Sequence, residues 1–215
     1  IRTLKSLTKE NDALREELET IKGENRLLQQ QQNELEELRD LYDMKGNYSD
    51  MPTVAARIIS KDPSNWYSTL GIDKGKNDGI KVDMNVIAKD GLVGIVSEVG
   101  HNYSKIRTII DDKSNVTGVF LKSTQTCNVA GDITIMTTGK VLVESVSKDI
   151  KVKDGDALYT AYDSVKYHSG ILIGYVNDMK TDSNNVTQSG KLTPVVDFAE
   201  LETVLVITEL SEGLY

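Results

Sequence analysis

The sequence predicts a mostly β protein with an N-terminal α-helix: a long parallel coiled-coil helix followed by two small tandem β-modules. Three observations lead there. Glycine and proline are partitioned, since the first 45 residues hold only Gly23 and no proline, and the other fifteen glycines with Pro52, Pro63 and Pro194 come later. Apolar residues recur in heptads before residue 46 and alternate at period two, between turn signals, after residue 52. An internal repeat then links residues 92–99 to residues 172–179.

With Leu4 at position a, the a positions are Leu4, Asn11, Leu18, Asn25 and Gln32, and the d positions are Leu7, Leu14, Ile21, Leu28 and Leu35. Every d position is apolar over five heptads. A helix packed on its own globular domain would also be amphipathic. Two details favour a parallel two-stranded coil. Asn11 and Asn25 at a can bond their mates across the seam and fix register. Glu10 and Glu17 at g face Arg15 and Lys22 at e of the partner's next heptad. The predicted seam is therefore Leu4, Leu7, Asn11, Leu14, Leu18, Ile21, Asn25, Leu28 and Leu35, in a rod of about 60–70 Å. Arg39 occupies an a position, and Leu38 and Leu41 leave the frame, so the coil is expected to fray there.

After a hinge at 47–52, the strands expected are 53–60, 66–72, 85–88, 92–99, 105–110, 116–122, 132–138, 141–146, 157–162, 170–176 and 203–210. Short strands at about ten-residue spacing, with no helical pattern between them, indicate barrels or sandwiches. Asp90-Gly91 suits a primed hairpin turn. "LVGIVSEV" (92–99) aligns without gaps to "LIGYVNDM" (172–179), each following an "IKV" element at 80–82 and 150–152. Two related modules account together for Gly91, Gly94, Gly170 and Gly174, since glycine within a strand marks a bulge, a barrel bend or a close backbone approach. The predicted division is 1–46 coil, 53–128 first module and 129–215 second, with an early strand as a candidate partner for the C-terminal segment.

Composition excludes several classes of function. A net charge of −8 and a pI near 4.9 argue against binding nucleic-acid phosphates, and no basic run is present to hold an anionic membrane. One cysteine, Cys127, permits no intrachain disulfide and no Cys-based zinc site. No stretch is long and apolar enough to cross a bilayer. The sequence begins at Ile1, already inside the heptads, and is read as a piece of a longer chain. "GLVGIVSEVG" has the wrong glycine spacing for a dinucleotide loop and continues as a strand. A double-barrel protease would need a Ser/His/Asp triad, and His101 and His168 are the only candidate bases, both in turn-like settings without a nucleophile loop. Asp111-Asp112 reads as a turn rather than a catalytic pair. Neither "KDGD" (153–156) nor "DDKSN" (111–115) has the ligand order of a calcium loop. No metal and no cofactor is expected. N-x-S/T sequons occur at Asn47, Asn102, Asn115 and Asn185. Trp66, the one indole, is either a core anchor at a strand start or a partner-facing aromatic.

The stretch from Ala56 to Gly118 resembles the rod shape-determining protein MreC family of bacteria. Ile72, Lys74, Gly75, Met84 and Val86 stand where that family has I-x-K-G, M-x-V and their neighbours. Gly91, Leu92, Gly94 and Val96 match its G-L-[VI]-G-x-V, and Tyr103-Ser104 its [YS]-S. "VKDGDALYTAYDSVKYHSGILIGYV" (152–176) resembles the family's later module and departs at Ala161-Tyr162, where the family often has Ser-Gly. The resemblance implies two small β-barrels, similar to chymotrypsin-type proteases but lacking their triad, and no catalysis. It implies an upstream transmembrane helix on the cytoplasmic membrane, with this segment on the extracellular or periplasmic side. Implied partners are penicillin-binding transpeptidases, MreD and, indirectly, MreB, beside the second copy that the heptads predict.

The function expected is a non-enzymatic homodimeric scaffold that organises cell-wall elongation and maintains cell shape. Partner-facing candidates are Trp66, His101 and Tyr103. The competing readings are a divergent hydrolase using His101 or His168, and a generic coiled-coil periplasmic adaptor.

Overall fold

A computed structural model describes residues 4–47, 51–89, 91–123, 125–183 and 185–211, and the chain divides near residue 43 into two compact units. The first is built on helix α1 (Leu4–Asn47), whose 44 residues span about 66 Å. The side chains described on it, Lys9 and residues 11–35, are exposed all round. They interact locally: Lys22 reaches Glu19 at 3.1 Å, and the Thr20 hydroxyl donates to the Glu16 carbonyl.

Among the described residues the second unit holds twelve strands: β1 (Thr53–Lys61), β2 (Thr69–Ile72), β3 (Asn85–Ile87), β4 (Leu92–Val99), β5 (Ser104–Thr108), β6 (Asn115–Phe120), β7 (Thr126–Ala130), β8 (Val141–Ser147), β9 (Ala157–Thr160), β10 (Leu172–Thr181), β11 (Thr187–Pro194) and β12 (Thr203–Ile207). They form two closed antiparallel barrels, ordered β1-β12-β3-β4-β5-β2 and β10-β11-β8-β7-β6-β9. Closure removes the sheet edges that open antiparallel sheets expose. The first interior is aliphatic, with Leu70, Ile72, Val86, Val96, Ile106, Val204 and Val206 buried, and Val129, Val143, Leu158, Ile173, Val176 and Leu192 do the same in the second. Each such side chain contributes about 1.5–3 kcal/mol on burial.

The boundary expected at residue 128 is corrected by this topology. Residue 128 lies inside β7, and β6 and β7 both belong to the second barrel. The chain leaves the first barrel after β5, builds the whole second barrel, and returns as β12 between β1 and β3. Residues 132–138 are not a strand. Asp132 accepts from the Thr134 N–H at 2.7 Å, its carbonyl takes the Ile135 and Met136 N–H groups, and a 3₁₀ turn follows at Met136–Thr138. Strand β7 was hidden by its mixed polarity. Strand β11 was hidden because Leu192 is its one fully buried residue. Trp66 precedes β2 in a turn rather than starting a strand.

The internal repeat proves to be a three-stranded meander used twice, β3-β4-β5 in one barrel and β9-β10-β11 in the other. In each, the pairing register slips just before the shared glycine: Val86 faces Gly94 while Ile87 faces Leu92, and Leu158 faces Gly174 while Tyr159 faces Leu172. Val93 and Ile173 are thus extra residues in matching bulges, and both are buried. A β-carbon on Gly94 would lie 2.0 Å from the Arg107 carbonyl oxygen, and one on Gly174 2.2 Å from that of Thr193. Each glycine lets the following strand close in at the bend. Gly91 serves a different contact, since its β-carbon would meet the Leu172 carbonyl oxygen of the other barrel at 2.2 Å. Gly170 turns the chain into β10 at φ +81° in open space. The Asp90 half of the expected hairpin turn lies outside the described residues.

A polar clamp joins the barrels. Asn85, fully buried at the start of β3, donates to the Lys166 carbonyl and accepts from the His168 N–H, both at 2.7 Å. The His168 ring nitrogen Nε2 lies 2.9 Å from the Glu209 carbonyl, just past β12. The Ser211 hydroxyl donates to the carbonyls of Ser164 and Tyr167. The 163–170 loop of the second barrel is therefore held by the first at both its ends.

Two predictions follow from this geometry. Gly94→Ala and Gly174→Ala should each lower stability by about 3 kcal/mol, because a backbone oxygen cannot move aside. Gly139→Ala, at φ +68° in open space, should cost only about 1 kcal/mol. Urea midpoints decide it, and equal costs at all three positions would refute the close-approach account. Asn85→Ala strands the part-buried Lys166 C=O and His168 N–H, so it should cost about 2 kcal/mol and speed tryptic cleavage after Lys166. Unchanged cleavage there would show that the clamp does not hold the loop.

Candidate functional site

Of the side chains weighed for chemistry, His168 and Cys127 are taken up by the fold, and His101 is exposed. His168 is fixed by Asn85 and Glu209 as above, and its carbonyl accepts from the Thr160 hydroxyl at 2.6 Å. His101 is exposed on the β4–β5 turn, where its carbonyl accepts from the Asn77 N–H. Cys127 is buried in β7, and burial pushes its thiol up to about 12, far from a thiolate at neutral pH. Among the described residues no three His, Cys, Asp or Glu side chains converge on a metal position.

Two features present surface instead. The first is the turn "KDPSNWYS" (61–68). Asp62 opens it, its carboxylate accepting from the N–H and hydroxyl of Ser64, which hold its carboxyl below the usual range. Pro63 begins a 3₁₀ turn, and Trp66 ends it in the left-handed conformation at φ 51°, followed by Tyr67 at φ 60°. Two consecutive non-glycine residues there cost about 1–2 kcal/mol each. Thr108 of β5 holds them in place: its hydroxyl donates to the Tyr67 carbonyl at 2.9 Å, and its N–H to the Ser68 carbonyl at 3.0 Å. The strained turn leaves Trp66 44% exposed. Trp66 and Tyr67 form one wall of a 360 Å³ cleft whose other walls come from Ile110, Met136, Pro194 and Phe198. The cleft opens where the chain passes from one barrel to the other.

The second feature is the β4–β5 tip. Gly100 donates to the Tyr103 carbonyl at 2.8 Å, and the Tyr103 ring occupies the space a β-carbon on Gly100 would need. Gly75 lets the 73–79 loop lie against the Gly100 and His101 carbonyls. Tyr103 is half exposed. Trp66 does not join His101 and Tyr103 in one patch. Thr69 pairs with Arg107 and Ile72 with Ser104, so the two features sit at opposite ends of the β2–β5 pair, which is about 10 Å long at 3.3 Å per residue.

On α1 the predicted seam residues Leu14, Leu18, Ile21, Leu28 and Leu35 are 49–57% exposed, in line with Asn11 and Asn25. Arg15, Glu17 and Lys22 are exposed beside them. The side chains of Leu4, Leu7 and Glu10 lie outside the described residues. Asn85, Thr108 and Phe198 were not singled out from the sequence. Only Asn85 carried a signal, as one amide in an otherwise apolar strand.

Residues 58–208 match the family described as "Rod shape-determining protein MreC, barrel core". The cell shape-determining protein MreC of Listeria monocytogenes is 29% identical over 213 residues, covering 98% of this chain and 72% of that protein. A solved MreC from Listeria monocytogenes superposes with a TM-score of 0.68 at 26% identity, over 96% of this chain and 99% of that one. An MreC solved in complex with penicillin-binding protein PBP2 from Helicobacter pylori superposes with a TM-score of 0.58 at 10% identity, over 74% of this chain and 99% of that one, a likeness of fold alone. The family is one of structural cell-shape proteins, not of enzymes. The matched span runs from within β1 to the end of β12, across both barrels and the returning strand, and the chain therefore belongs to the MreC family of rod shape-determining proteins.

Proposed function

We propose that this chain is a homodimeric scaffold that holds cell-wall elongation enzymes together on the outer side of the cytoplasmic membrane. The observation that carries the proposal is the row of half-exposed apolar side chains at heptad spacing on α1. Leu14, Leu18, Ile21, Leu28 and Leu35 have no partner within their own helix, and a second copy in parallel would bury them. In that arrangement Glu17 meets Lys22 of the other helix, a contact that competes with the Lys22–Glu19 pair seen in the single chain. No described helix is long and apolar enough to cross a membrane. The family resemblance supplies the proposed anchor, a transmembrane helix ahead of the coil in the longer protein.

A penicillin-binding transpeptidase is the proposed principal partner, with MreD and, indirectly, MreB further along the assembly. The Helicobacter pylori complex supports that choice, since there an MreC of the same fold is bound to PBP2. The Trp66 cleft is the proposed contact, because an exposed indole beside an apolar cleft, on a strained but anchored turn, has the make-up of a binding hot spot. His101 and Tyr103 form a second contact at the opposite end of the strand pair. Fixing His168 in the inter-barrel clamp removes support from the hydrolase alternative.

Sedimentation measurements should find the chain dimeric and Leu18→Lys/Ile21→Lys monomeric. Leu27→Lys, at a c position and equally exposed (55%), should remain dimeric. A monomeric wild type, or dissociation by Leu27→Lys as well, would overturn the seam. In a pull-down of detergent-solubilised bacterial membranes read with a fluorescent β-lactam, Trp66→Ala should bind penicillin-binding proteins about 30-fold more weakly. Its dimerisation and urea midpoint should be unchanged. Capture equal to wild type would rule out the cleft as the contact.

A further inference from the structure

A second cavity, of 210 Å³, opens on the junction between the barrels and differs in character from the Trp66 cleft. Its walls come from four places: the 82–83 turn ahead of β3, β4 and β5 of the first barrel, the 113–115 connection, and the 166–167 part of the clamped loop. Three cations line it, Arg107, Lys113 and Lys166, in a chain whose net charge is −8. Among the described residues neither Lys113 nor Lys166 forms an ion pair. Arg107 has a loose one, 3.8 Å from Nε to Asp111 Oδ1, too long for a hydrogen bond. The Asp111 carboxylate is also drawn away by the Lys113 N–H at 2.9 Å. Asp83 is the one carboxylate on the wall.

The cavity also holds a poorly satisfied group. Ser114 is 4% exposed, and its hydroxyl lies close enough to the Tyr167 phenol to interact with it but not in the geometry of a full hydrogen bond. Burial pushes the Tyr167 phenol up, so that ring stays neutral and adds no negative charge. A buried hydroxyl short of a full hydrogen bond is unfavourable and uncommon enough to require an explanation. Asn115, next in the chain, lines the same wall.

We propose that this cavity binds a phosphate group. The donors on its walls are a guanidinium, two ammonium groups, a hydroxyl and an amide, set around one space. That is more than the two oxygens of a carboxylate can use, and it suits the three or four oxygens of a phosphate. Arg107 supplies a fork, the lysines supply point charges, and the Ser114 hydroxyl gains a strong, well-placed acceptor. The ligand bridges the barrels, because Arg107 belongs to the first and Lys166 to the second. Occupancy therefore reinforces the Asn85 clamp and does not depend on dimerisation or on Trp66.

The test is an amide-resolved NMR titration of the whole chain at fixed ionic strength. One arm uses inorganic phosphate, the second glycerophosphoglycerol (a phosphodiester as found within an anionic chain), and a chloride arm is the reference. Saturable shifts at Arg107, Ser114 and Lys166 are expected with phosphate. Ser114→Ala should bind about tenfold more weakly, as expected for loss of one charge-assisted hydrogen bond. Arg107→Gln/Lys166→Gln should abolish saturation with the remaining spectrum preserved. Saturation by the diester as well identifies the ligand as phosphate within a polymer, and its failure identifies a free or terminal phosphate. Shifts no larger than those in chloride, or undiminished binding by the double variant, would overturn the site.

Discussion

The arrangement of the barrels depends on one buried amide. Asn85 has no access to solvent, and its carboxamide donates to Lys166 and accepts from His168 at 2.7 Å each. Burying an amide is unfavourable unless its donor and acceptor are both used, and here both partners are backbone groups of the opposite barrel. No apolar side chain could replace it without stranding those groups. The clamp thus fixes the 163–170 loop, through it the polar cavity between the barrels, and with Gly91 against the Leu172 carbonyl it fixes the approach of β10 to the first barrel.

Topology reinforces that contact. The chain crosses between barrels twice, after β5 and again before β12, so the second barrel is inserted in the first rather than appended to it. The first barrel closes only when β12 arrives between β1 and β3. Residue separations across that closure are long, Thr53 pairing with Ile207 for example, so the first barrel closes at a large loop entropy. The repeated meander with its matching bulges is local by contrast. Each copy can form from consecutive hairpins before the long closure is made.

Legibility in the sequence followed the same division between local and distant. The heptads at Leu4 to Leu35 and the ungapped match of Gly94 to Gly174 are local patterns, and both led to the right class of structure: one helix and two related β-modules. The bulges were legible as glycines but not as register slips, because a slip depends on the facing strand. Residues 132–138 misled, since Ile133 and Ile135 alternate like a strand while Asp132 captures the backbone first. β11 was illegible because "TQSGKLTP" lacks a strong apolar face of its own. Asn85 and Thr108 could not be recognised as anchors, because their partners lie 81 and 41 residues away. Trp66 was placed one turn too far along, since αL conformation in a tryptophan is paid for by tertiary contacts that no local propensity encodes.

The economy of polar groups bears on what such a molecule can do. An enzyme keeps polar side chains unengaged and aimed at a common point. Here the amide of Asn85, the ring of His168 and the hydroxyls of Thr108, Thr160 and Ser211 are all committed to backbone partners. Two surfaces stand out among the described residues: an exposed indole by an apolar cleft, and three cations around a poorly satisfied hydroxyl. Both sit where the barrels meet, so both depend on the rigidity of that junction. A parallel pair of chains, as proposed from the helix, would present each surface twice. Two weak sites joined in that way would bind a common partner with an effective concentration set by their spacing rather than by the strength of either contact.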